Sequence, residues 1–230
     1  MYKVTIGREL EKKNTISILE WCEKRIVPVD YMPKAKLQIL CGAVVHQGYV
    51  AQLGDYQYVM ESDLFQFIKD NPRPVILILD QIQDTHNLGA IIRTAESVNI
   101  TALVIAEKGG AEVNATVAKT SAGAIFHCPI HRTDHLITFL EKLKTAGIKI
   151  LGTVMNRDKV IYKSDLTVGL AVIVGSEGKG IRKNILIHCD DQVSIPMRGS
   201  IDSLNVSVST GIVLYEILRQ RLSSNRSGEP

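Results

Sequence analysis

Three short stretches carry residue types that do chemistry rather than only pack: "NLGAIIR" at Asn87–Arg93, "VGSEGKGI" at Val174–Ile181, and "IPMRGSIDSLNVSVSTGI" at Ile195–Ile212. The glycines at 175, 178 and 180 suggest a phosphate-cradling loop, but the spacing excludes the usual ones. Lys179 is followed by Gly180, so a P-loop, which needs G-K-[ST], is absent. The order of a dinucleotide fingerprint is also missing, and Glu177 falls where a pyrophosphate would lie, so its charge would repel phosphate. A Gly-rich turn holding a fixed carboxylate suits a ligand that presents donors or positive charge. S-adenosyl-L-methionine, a sulfonium with an ammonium and two ribose hydroxyls, has that chemistry. A plain strand-to-helix turn with a solvated Glu explains the same residues.

In "NLGAIIR", Asn87 suits a helix N-cap, whose side-chain oxygen accepts an orphan backbone N–H. Gly89 allows close approach of a backbone or a ligand, and the planar guanidinium of Arg93 suits a phosphate. A solvated helix arginine is the simpler reading of Arg93 alone. In the third stretch Pro196 ends a strand, Gly199 permits a sharp loop and Ser203 offers an N-cap. Asn205 then lies in the first helical turn, where an amide can donate to and accept from a hydroxyl. The polar–apolar alternation of "SLNVSVS" imitates a strand, but Leu204, Val208 and Ile212 at helical spacing predict one helix from Ser203 to about Leu222. Val206, Val213 and Ile217 give that helix a second apolar side.

The elements that must position these stretches are legible from residue 75 onward. Apolar runs "VILILD", "ALVIA", "KILGTV", "AVIVG" and "QVSIP" recur with segments of crossover length between them. Such runs suit strands covered on both faces, so residues 75–222 read as an α/β domain with a mostly parallel sheet. In such sheets ligands bind beyond the carboxyl ends of the strands, and all three stretches follow a strand end. Residues 1–60 read as a smaller domain with a helix over "NTISILEWCEKR", a short strand "IVPVD" and a hairpin in "HQGYVAQLGDYQYV". A polar helix candidate, "SDLFQFIKD", and the prolines of "NPRP" place a linker at 61–74, and "SSNRSGEP" at 223–230 reads as a disordered tail.

Composition narrows the function classes. Lys plus Arg total 27 against 24 for Asp plus Glu, a balance that permits nucleic-acid binding without requiring it. Cys22, Cys41, Cys128 and Cys189 form no C-x-x-C pair, which argues against a zinc knuckle and for reduced core thiols. His131 and His135 sit four residues apart, but the helix start between them disfavours a metal site, and none is expected. His86, beside Asn87, reads as a supporting group at most. No apolar run reaches membrane-spanning length and the N-terminal residues lack a secretory apolar stretch, so a cytoplasmic protein is expected.

Taken in order, N-x-G-x-x-x-R, V-G-S-E-G-x-G and I-P-M-x-G-x-x-x-S-L-N-V-S-V resemble the three motifs of the SpoU (TrmH-like) RNA ribose 2′-O-methyltransferases of the SPOUT superfamily. Residues 9–53 resemble the later part of the family's L30e-like RNA-binding domain, here abridged, and His46 resembles the position where the two domains connect. The likeness is greatest to bacterial enzymes that methylate a guanosine of 23S ribosomal RNA. It implies a C-terminal trefoil knot, a homodimer joined through the knot region, and S-adenosyl-L-methionine as cofactor. By motif, Gly175, Ile195 and Leu204 hold the adenosine, and the loops Ser176–Gly180 and Met197–Ser203 close around it. Arg93, Glu177 and Asn205 become the catalytic group, with Glu177 orienting Arg93 or the substrate. Asn87, Arg93 and Arg198 become the substrate contacts, and Lys119, Lys179 and Arg182 are further cations available to RNA phosphates. Ribosomal RNA is the expected substrate, with tRNA as the alternative inside the class. A noncatalytic RNA-binding or ribosome-assembly protein that keeps the fold is the alternative outside it.

Overall fold

The computed structural model describes residues 2–41, 45–155 and 159–226 and divides into two compact units, Met1–Gln57 and Tyr58–Pro230. In the first, strand β1 (Lys3–Gly7) pairs in parallel with β2 (Val29–Met32) and antiparallel with β3 (Tyr49–Gln52). Helix α1 (Ile16–Lys24) makes the parallel crossover, and α2 (Lys34–Cys41) precedes β3. Val4 and Ile6 pack with Cys22 of α1 as the centre of a small core. The expected hairpin is not formed: β3 pairs with β1 rather than with a neighbour in sequence, because Lys3↔Gln52 through Ile6↔Tyr49 is the antiparallel register. His46 lies inside this unit, where its Nδ1 accepts from the Gly48 N–H, and not at the junction of the units.

The second unit holds a six-stranded sheet, ordered β6-β5-β4-β8-β7-β9, in which all neighbouring strands pair in parallel. Its strands are β4 (Val75–Asp80), β5 (Ala102–Ala106), β6 (Ile130–Thr133), β7 (Lys149–Thr153), β8 (Leu170–Gly175) and β9 (Asp191–Val193). All of β4 and β5 is buried, as expected of strands covered on both faces. Alternation splits their side chains between two layers. Ile76, Ile78, Val104 and Ile173 join α3 (Glu61–Asp70) and α6 (Leu136–Thr145) in one core, while Leu77, Leu79, Leu103 and Val172 are buried on the other face. Helix α4 (Thr85–Ser97) packs against α5 (Ala115–Thr120) and against α8 (Val206–Arg226), and α8 also contacts β8.

Several sequence expectations need correction. Residues 61–70 are no linker: α3 buries Leu64 and Ile68 in the sheet's core. Helix α8 continues to Arg226, so the front of the expected tail is helical, and residues 227–230 lie outside the described ones. On α8 the buried side is Val206, Val213, Leu214 and Ile217, whereas Val208 of the expected stripe is 51% exposed. Cys22 and Cys128 are buried, but Cys41 and Cys189 only half so.

Candidate active site

Strands β4 and β8 lie side by side with Asp80 opposite Gly175, so the segments that leave them start together. After Gly175 the chain makes a tight loop closed by the Ser176↔Gly180 bridge and a Gly180 N–H donating to the Ser176 carbonyl at 2.9 Å. A Cβ on Gly175 would stand 2.1 Å from the Gly180 carbonyl carbon, and Gly178 and Gly180 have φ of 81° and 65°. The three glycines are thus required by closeness and by left-handed backbone. The base of the loop is tied to the sheet by Asp80, which is fully buried. Its carboxylate accepts from the Arg182 backbone N–H at 2.9 Å and from that residue's Nε at 2.8 Å and Nη2 at 2.6 Å. Sequence reading missed Asp80, because the last residue of an apolar run looks like a strand end and nothing more.

This loop aims Glu177 at the other two motifs. Its Oε1 accepts from Asn205 Nδ2 at 2.6 Å, from Asn87 Nδ2 at 3.2 Å and from the Val206 N–H at 3.3 Å. Asn205 Nδ2 also donates to Asn87 Oδ1 at 3.0 Å. Residues from three separated stretches thus meet in one hydrogen-bonded cluster. The Asn205 amide is fully engaged: its Oδ1 accepts from the Ser207 N–H at 3.0 Å and the Val208 N–H at 3.4 Å, capping α8. The cap is therefore Asn205 and not Ser203, and the helix starts at Val206. Asn87 is likewise not a cap. Asp84 caps α4 by accepting from the His86 N–H at 2.7 Å, and the Asn87 amide, inside the first turn, donates to Asp84 Oδ2 at 3.5 Å as well as to Glu177. Gly89 serves helix packing: an added Cβ would lie 1.8 Å from Thr120 Oγ1 of α5.

Beside the cluster lies a cavity of about 650 Å³, within the usual range for cofactor sites. Gly175, Ser176, Gly180, Ile195, Met197, Ser203 and Leu204 all line it, together with Glu177 and Asn205. Asp202 of the Met197–Ser203 loop lines it as well, and Thr153–Met155 at the end of β7 and Ser194 line it too and were not anticipated. The run "KILGTV" marked their strand, but nothing in its types marked a ligand. Apolar side chains (Ile181, Val193, Ile195, Leu204) suit a planar ring, and Glu177 and Asp202 suit hydroxyls or a cation, so the lining fits S-adenosylmethionine. Arg93 and Arg198 stand apart. Both are exposed, and neither guanidinium has a hydrogen bond or ion pair among the described residues. Glu177 therefore does not orient Arg93 within this chain; its Oε1 is taken by the asparagines. No group of three or more His, Cys, Asp or Glu among the described residues is placed to hold a metal.

Residues 74–215 match the SpoU rRNA Methylase family, and residues 2–59 match the domain described as RNA 2′-O ribose methyltransferase substrate binding. The chain belongs to the SpoU rRNA methylase family. It is 36% identical over 219 residues to the 23S rRNA (guanosine-2′-O-)-methyltransferase RlmB of Escherichia coli (strain K12), covering 95% of this chain and 90% of that protein. It is 37% identical over 223 residues to YacO, a TrmH family protein of Bacillus subtilis (strain 168), covering 96% and 89%. The crystal structure of the SpoU methyltransferase AviRb from Streptomyces viridochromogenes, in complex with the cofactor AdoMet, superposes with a TM-score of 0.76 at 25% identity, over 96% of this chain and 83% of that one.

Proposed function

We propose that the protein transfers a methyl group from S-adenosyl-L-methionine to a ribose 2′-hydroxyl of RNA, a guanosine of 23S ribosomal RNA being the substrate. The observation that carries this reading is the meeting of Asn87, Glu177 and Asn205 beside the cavity. The family and the 36% identity to RlmB over 95% of the chain support the substrate. Gly175, Ile195 and Leu204 hold the adenosine, and Ser176–Gly180 and Met197–Ser203 enclose it. Bound there, the cofactor supplies an activated methyl on a positively charged sulfur. The protein's own work is alignment and charge.

Glu177 Oε1 is used internally, which leaves Oε2 to accept a hydrogen bond from a ribose hydroxyl. Asn205 and Asn87 keep that carboxylate in place as positioning residues. Arg93 clamps the adjacent phosphate and stabilises the developing alkoxide; with a pKa above about 12 a guanidinium is a donor rather than a base. Arg198 adds a second phosphate contact. Residues 1–57 serve as the RNA-binding domain, the supporting match being residues 2–59. The C-terminal segment forms a trefoil knot around the cavity, supported by the order β4-β8-β7-β9 and the return of α8 to α4. A second copy of the chain covers the exposed apolar stripe Val208, Tyr215 and Leu222 of α8, forming a homodimer. The site of action is cytoplasmic, where ribosomal RNA is made accessible; among the described residues no helix is long and apolar enough to cross a membrane.

The test is ribose methylation of 23S rRNA by the purified chain with S-adenosylmethionine, compared with tRNA. Label in 23S rRNA alone supports the reading. Label in tRNA alone moves the substrate within the class, and cofactor binding without label in either contradicts methyl transfer.

A further inference from the structure

A second, smaller cavity of about 200 Å³ lies at the carboxyl ends of β5 and β6, separate from the cofactor cavity. Its lining includes Lys108, Thr133, Asp134, Thr138 and Arg182 and the first turn of α6. We infer that this cavity binds a backbone phosphate of the RNA substrate, through Thr133, Lys108, Arg182 and the backbone N–H groups that open α6. The inference rests on the proposed action on RNA.

The Thr133 side chain is the most telling member. The residue is 8% exposed, and its hydroxyl has no hydrogen-bond partner among the described residues. The hydroxyl lines the cavity, where it can donate to a bound oxygen. His131, two residues earlier, packs its ring 5.6 Å from Phe139 of α6. Alternation then puts Thr133 on the same side, toward the first turn of that helix. Residue His135 at the N-cap gives this turn no side-chain hydrogen bond, so its N–H groups are open. Lys108 has no ion pair among the described residues. Arg182 commits Nε and Nη2 to Asp80, and the residue lines the cavity. Asp134 is a carboxylate of the lining, but it is exposed and water screens it.

Placement adds a reason for RNA over a free ion. Gly180 and Ile181 line the cofactor cavity, and Arg182, Asn184 and Ile185 line this one. The two cavities therefore flank one short segment, and a strand presenting its ribose at the first can lay a phosphate in the second.

The experiment measures binding of a mixed-sequence single-stranded RNA oligonucleotide against salt for the wild-type chain, Lys108→Ala and Thr133→Val. Calorimetry with S-adenosylmethionine runs alongside as a check of fold. Lys108→Ala should weaken RNA binding several-fold and lower the slope of log K against log salt by about 0.7, one single-strand phosphate contact. Thr133→Val should weaken binding a few-fold with the slope unchanged, because it removes a neutral donor. Both variants should bind the cofactor like the wild type. Wild-type RNA affinity and slope in both variants overturn the inference alone, whereas a wild-type chain that binds no RNA overturns the proposed function with it. Inorganic phosphate titrated in place of RNA should shift the amide signals of Leu136–Thr138 only at far higher concentration. Shifts from phosphate that RNA fails to reproduce make this a free-phosphate site and overturn the assignment.

Discussion

Glu177 is held by two asparagines rather than by a cation, and that choice has a measurable consequence. Asn205 donates both amide hydrogens, to Glu177 at 2.6 Å and to Asn87 at 3.0 Å, while its oxygen caps α8. Asn205→Asp keeps the capping acceptor and the shape but sets a carboxylate against Glu177. Two like charges at that distance raise the pKa of one of them. Methyl transfer by the variant should fall, and recover in part as the pH is lowered and one of the two carboxylates takes up a proton. A profile parallel to the wild type contradicts the cluster's proposed role. Arg93 belongs to the same scale. With no partner to lose among the described residues, Arg93→Ala should fold normally and bind S-adenosylmethionine within two-fold of wild type. Its turnover should drop by about 10²–10³, the cost of one oxyanion donor. Turnover within a few-fold of wild type removes Arg93 from the chemistry.

At the scale of elements, the cofactor loop depends on two close approaches, Gly175 to Gly180 and Arg182 to Asp80. Gly175→Ala forces its Cβ into backbone, so the loop must open, and calorimetry should show cofactor binding lost. Overpacking of this kind costs about 1–3 kcal/mol, so the fold should survive by circular dichroism. Asp84→Ala removes the α4 cap and should cost about 1 kcal/mol in a denaturant titration. Cys189 packs its Sγ toward Gly152 of β7, and burial pushes its thiol up to about 11. Below that pH the thiol stays protonated, so Cys189 of the native protein should resist alkylation at pH 8 while in the unfolded protein it reacts, as peptide mapping would show. The elements were legible where pattern was unambiguous: unbroken apolar runs announced the parallel strands, and helical spacing overrode the false alternation in "SLNVSVS". What failed were decisions made by contacts distant in sequence. Asn87 and Ser203 both have good capping chemistry, but α4 starts at Thr85 and α8 at Val206, so Asp84 and Asn205 occupy the caps while the Asn87 and Asn205 Nδ2 groups turn to Glu177, far along the chain. Residues 61–70 look polar in isolation, and only the sheet's core shows why Leu64 and Ile68 are buried.

For the molecule as a whole, α8 carries the largest unresolved demand. Val208, Tyr215 and Leu222 are 51%, 53% and 56% exposed, seven residues apart and so on one side of the helix. Tyr215→Asp places a charge in the centre of that stripe. Sedimentation should show a dimer for the wild type and a shift toward monomer for the variant; a monomeric wild type contradicts the proposed homodimer. The three motifs were readable one by one, and the cavity lining includes the seven residues expected to hold the cofactor. The ends of β7 and β9 were not foreseen in it, since a lining residue there needs only backbone and size.

Ribose methylation of RNA is tested most directly by following a methyl-labelled S-adenosylmethionine into 23S rRNA from cells lacking the gene. Transfer to a 2′-oxygen makes the phosphodiester on its 3′ side resistant to alkali. Labelled alkali-resistant dinucleotides containing one methylated guanosine are the predicted result. Label recovered as alkali-released mononucleotides places the methyl on a base and contradicts the account.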